Sequence, residues 1–100
     1  MPYIKQEQRN NLEDSLRNLR TTLHLYSVGT EGEAGDLNYV ITSLLGAHLH
    51  NGVSYRKINM LVGVLDCVKM ELYRRAAADY EDQKKKENGD VSTYEELGGQ

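Results

Sequence analysis

The chain has 100 residues, with 12 Lys or Arg set against 15 Asp or Glu, so its formal net charge is −3 and no basic excess exists to displace counterions from nucleic-acid phosphate. Apolar residues make up 39% with no Trp or Phe, so a core must come from Leu, Val, Ile, Met and the rings of seven Tyr. Cys67 is the only cysteine, which excludes an internal disulfide, and no apolar run approaches the roughly 20 residues that span a bilayer.

A first helix is predicted from about Gln6 to Tyr26. Leu12, Leu16, Leu19 and Leu23 recur at spacings of four, three and four, one apolar stripe, while Glu13, Asp14, Arg17, Asn18 and Arg20 suit water. Pro2 sits ahead of it, where its fixed φ and missing N–H cost nothing. From Ser27 to Gly35, three glycines and two acids predict a mobile connector, and the two glutamates would repel phosphate.

Asp36 is expected to cap a second helix, because its carboxylate can accept free N–H groups of the first turn. Leu37, Val40, Ile41, Leu44 and Leu45 give it a wide apolar face, and His50-Asn51-Gly52 should stop it. Ser54 then caps a third helix whose stripe runs through Ile58, Leu61, Val62, Leu65, Val68 and Leu72 to Ala76, continuing through Tyr80 to Asn88-Gly89. That is up to about 34 residues, near 50 Å at 1.5 Å per residue, so its charged last third must project or pair. The expected fold is all-α: a small bundle of three main helices with a long third helix. Residues 1–91 form a single helical domain on this reading, and residues 92–100 form a flexible C-terminal tail.

Polar residues on apolar helices are the candidates for binding. Asn38 and Thr42 share a face of the second helix, and Tyr55, Asn59, Gly63 and Asp66 line a strip of the third. If the strips meet, Asn38, Thr42, Tyr55 and Asn59, with Arg75 as a cation, could hold a small molecule or nucleotide. An interhelical hydrogen-bond network explains the same residues and is the preferred reading, because buried polar groups need partners with or without a ligand. Gly63 is expected to mark close helix approach.

Glu71, Arg74 and Arg75 lie at helical spacing, and intrahelical ion pairs account for them. Should the charged arm meet a partner, Glu71, Arg74 and Tyr80 become interface candidates. Asp36, Asp66 and Glu71 are single acids without the paired spacing that gathers oxygens around magnesium. His24, His48, His50 and Cys67 lack zinc-ligand spacing, and a buried, inert Cys67 is expected. Neither a catalytic set nor a metal or cofactor site is therefore predicted.

Met1 to Lys5, Leu37 to Thr42, Gly63 to Lys69, Glu71 to Arg75, Tyr80 to Asp82 and Glu87 to Val91 together resemble a family of short uncharacterised bacterial and bacteriophage proteins beginning Met-Pro-Tyr-Ile. The resemblance carries no activity. It implies a cytoplasmic setting in a bacterial cell or a phage-infected host, in keeping with the lone cysteine and the lack of a signal-peptide core.

Three functional expectations follow, in descending order. The first is a non-enzymatic helical interaction protein that self-associates as a homo-oligomer and binds a protein partner, which accounts for the small core and overlong helix. The second is a bacterial or phage protein that binds or sequesters a nucleotide or other small molecule. The third is a magnesium-dependent nucleotide hydrolase. Neither membrane nor nucleic acid is expected as a partner.

Overall fold

The computed structural model describes residues 2–98, and among these every regular element is helical. Helix α1 spans Gln6–Tyr26, α2 Glu33–Ala47, α3 Tyr55–Leu72, α4 Ala78–Asn88 and α5 Ser92–Gly98, with a π-helical turn, Tyr73–Ala77, joining α3 to α4. The predicted third helix therefore exists from Tyr55 to Asn88, but as two α-helical segments around a wider turn. The chain divides into two units, Met1–Gly63 and Val64–Gln100.

Local chemistry fixes the ends. The Lys5 N–H donates to Gln8 Oε1 at 3.0 Å, which satisfies a donor at the start of α1. On its wet side Arg17 pairs with Asp14 at 3.4 Å, and Arg20 reaches back two turns to Glu13 at 2.5 Å. The Ser27 N–H closes the C-terminus on Leu23 O at 2.8 Å.

The segment after α1 is shorter than predicted and is cross-tied. Ser27, only 5% exposed, donates its hydroxyl to Asp36 Oδ2 at 2.7 Å, and Thr30 Oγ1 donates to Ser27 O at 2.7 Å. The Gly29 N–H donates to Glu33 Oε1 at 3.1 Å. Asp36 thus lies inside the first turn of α2 rather than capping it: the helix begins at Glu33, with Gly32 in the cap position. Glu33 and Asp36 both sit where the helix dipole favours negative charge, which lets the helix extend back toward Gly32.

Ser54 does cap α3: its Oγ accepts the Lys57 N–H at 3.2 Å. At the far end Gly89 adopts φ +86°, ψ 159°, a region open essentially to glycine, and its N–H closes α4 on Lys85 O at 2.8 Å. Residues 92–98, expected as part of a flexible tail, form the short α5; its first turn is closed by the Glu95 N–H on Val91 O at 3.0 Å. Gly99 and Gln100, the rest of that tail, lie outside the described residues.

Apolar side chains stay largely uncovered. Among the described hydrophobic residues only Leu61 is buried. Leu19 and Leu23 on α1, Val40 and Leu45 on α2, and Leu49 are half-buried. Within residues 2–63 the helices do not pack closely on one another.

Candidate functional site

The candidate ligand residues fall into separate local arrangements. On α2, Thr42 Oγ1 donates to Asn38 Oδ1 at 3.2 Å, so the two residues the sequence placed on one face satisfy each other within their own helix. Tyr55 opens α3 at 85% exposure, and Asn59, one turn on, is exposed as well. Arg75, in the π-helical turn, belongs to the other unit. The structure thus brings Asn38 and Thr42 together on α2 and sets Tyr55 and Asn59 one turn apart on α3.

The arm candidates are tied along the chain. Arg74 donates from a guanidinium NH2 nitrogen to Glu71 Oε1 at 2.6 Å and from Nε to Glu71 Oε2 at 3.4 Å, the fork expected of Arg on a carboxylate. Tyr73 donates its hydroxyl to Glu81 Oε2 at 2.9 Å, eight residues away across the π-helical turn. That hydrogen bond, and then the carboxylate charge behind it, push the Tyr73 hydroxyl above its usual pKa of 10.0. Lys84 lies 5.6 Å from the Tyr80 ring centre and pairs with Glu87 at 3.2 Å. Tyr80 remains 60% exposed.

In the first unit the Glu13 carboxyl is held by its neighbour. The hydrogen bond from Arg20, and then its charge, hold this carboxyl below the usual 4.5. Cys67 is exposed rather than buried, because it lies beside the α3 stripe and that stripe is itself uncovered. An alanine methyl at Gly63 would meet nothing within 4 Å, so this glycine is not held by close packing inside the chain. Among the described residues no three His, Cys, Asp or Glu side chains gather as a metal site would need.

Sequence reading missed one feature. An open depression of about 420 Å³ is lined by Ser54, Arg56, Lys57 and Met60 on the first turn of α3. Arg56 and Lys57 add their charge to the positive end of the helix dipole there. Adjacent cations at a helix start carry no spacing signature that would single them out.

A family model described as a domain of unknown function, DUF6899, matches residues 1–91. The chain belongs to the DUF6899 family. No curated protein and no solved structure matches it. The DUF6899 match takes in α1 to α4 and stops at Val91, ahead of α5. It therefore includes every candidate residue above. No DUF6899 helix among the described residues is long and apolar enough to cross a membrane.

Proposed function

We propose that the protein is a non-enzymatic helical interaction protein whose core is completed by association, first with further copies of itself and then with a protein partner. The observation that carries this reading is the state of its apolar stripes. Leu12 and Leu16 on α1, Leu37, Ile41 and Leu44 on α2, and Ile58, Leu65 and Val68 on α3 are 37% to 56% exposed. These positions have the helical spacing of core residues yet face water.

Obligate homodimers bury 2,000–5,000 Å² or more in total, and their interfaces are apolar enough to take up such stripes. On association the helices become a bundle in which the stretch from Tyr55 to Asn88 is the longest member. Glu71, Arg74 and Tyr80 lie on the part of that stretch we assign to the protein partner. The setting is the cytoplasm of a bacterial cell or phage-infected host, where the exposed Cys67 stays reduced.

Light scattering on the full chain during gel filtration, repeated over a hundredfold dilution, tests the proposal. We expect an oligomer that dissociates with partial loss of helix. A monomer that keeps its helix content and melts cooperatively at every concentration would refute it.

A further inference from the structure

We propose that α1 pairs antiparallel with α1 of a second copy, about a two-fold axis passing between Arg17 and Asn18. This deepens the self-association reading and rests on it. In heptad terms Leu16 and Leu23 occupy one seam position, a, and Leu12 and Leu19 the other, d. An antiparallel pair sets a against d. Leu12 then meets the partner's Leu23 and Leu16 meets the partner's Leu19, and the symmetry repeats both contacts. The stripe is its own complement, as a two-fold interface requires.

Charge selects the direction. Glu13 and Arg20 both fall at position e, on one flank of the seam, and chain reversal sets e beside the partner's e. Glu13 therefore lies beside the partner's Arg20, and Arg20 beside the partner's Glu13. The opposite flank carries only the hydroxyls of Ser15 and Thr22 and the amide of Gln8. A parallel pair loses both matches: it would put Ser15 beside the partner's Arg20 and would face Arg9 with the partner's Arg9 at a seam position. In the antiparallel pair Arg9 faces the partner's Tyr26 instead, a ring that is 76% exposed in the single chain.

Within one chain Arg20 already stretches two turns along the seam edge to Glu13, and both side chains stay well exposed, at 57% and 43%. The same two charges can be exchanged between copies without breaking any other contact of theirs that the structure contains.

Two full-length variants, Glu13→Arg and Arg20→Glu, provide the test by native mass spectrometry. Each alone sets like charges across both edges of the seam, and each should dimerise about three- to tenfold more weakly than the parent. Mixed in equal amounts, they restore opposite charges only between unlike chains. Mixed dimers should then outnumber the two like pairs together by about threefold or more. Pairing within one chain cannot produce that preference, because each variant still repels itself internally.

Statistical mixing of intact dimers would overturn the α1 seam while leaving self-association standing. A parent chain that is monomeric throughout would overturn both. Because both substitutions lie on an exposed helix flank, each variant's helix content, read by circular dichroism, should match the parent's.

Discussion

Helices α1 and α4 have the same backbone for opposite reasons. Helix α4 is polar apart from Tyr80, all its residues beyond Ala78 are exposed, and Lys84 pairs with Glu87 and Glu81 with Tyr73 along the chain. Apart from Tyr80, nothing in it asks for a second surface. Helix α1 satisfies its polar side equally well, with Arg17 on Asp14 and Arg20 on Glu13, yet it carries four leucines in a row that its own unit leaves half-buried or exposed. Local ion pairs hold a helix's polar side by a few tenths of a kcal/mol each, whereas covering its apolar stripe is worth kcal/mol per side chain. The charged helix asks little of a second surface, and the leucine helix asks for a whole face.

The sharpest way to break this comparison is to place a carboxylate in each helix. Leu16→Asp should abolish the oligomer and cost about 2–4 kcal/mol of stability where the oligomer forms, whereas Gln83→Asp on α4 should change neither molecular mass nor melting temperature. Equal effects from both would remove the distinction. Next in size, Gly89→Ala meets no atoms but must leave the +86° conformation, so it should fray the end of α4 and cost about 1 kcal/mol. Amide exchange over residues 84–88 would report it.

Gly63→Ala should act in the other direction, raising stability by about 0.5–1 kcal/mol, because an added methyl there meets open space inside a helix. A loss of oligomer in that variant would show that association brings another backbone against Gly63.

The smallest effects are those of pH. The Glu13 carboxyl is held below 4.5 by Arg20, so its contribution is present above that value and is lost as pH falls through the folded pKa. Glu13→Gln should flatten this acid limb of the stability curve. The Tyr73 hydroxyl is raised above 10.0 by Glu81, so its contribution is present below 10 and is lost as pH rises through the folded pKa. Absorbance titration of the tyrosinates should show a late phase that is absent in Tyr73→Phe.

Helix positions were largely legible in the sequence because their signals are local. The leucine spacing of α1, the Ser54 cap and the Asn88-Gly89 stop each depend on neighbours within one turn. The start of α2 was misread because Asp36 is as good a residue inside a first turn as before it, and its bond to Ser27 depends on a contact nine residues away. The exposure of Cys67 and the open space at Gly63 could not be read either. Helical periodicity shows which face wants cover, not whether the same chain supplies it. The polar candidates Asn38 and Thr42 were correctly placed on one face, but their spacing could not show that they would bond to each other.

The π-helical turn at Tyr73–Ala77 has one more consequence. A wider turn takes up one extra residue, so everything after it lags by about 100° relative to an unbroken α-helix. Counting two full turns on from Leu72 in a regular helix would bring Asp79 under the apolar stripe. With one residue absorbed, Tyr80 takes that place, just as Tyr73 reaches Glu81 at a separation of eight. The trace in the sequence is three successive steps of four, Val68 to Leu72 to Ala76 to Tyr80, where alternating threes and fours would be regular. The turn therefore works as a phase corrector: wound as regular α-helix, the same residues would swing Asp79 into line with the leucines and Tyr80 out of it, whereas deleting one residue within the turn would remove the widening and keep Tyr80 in line.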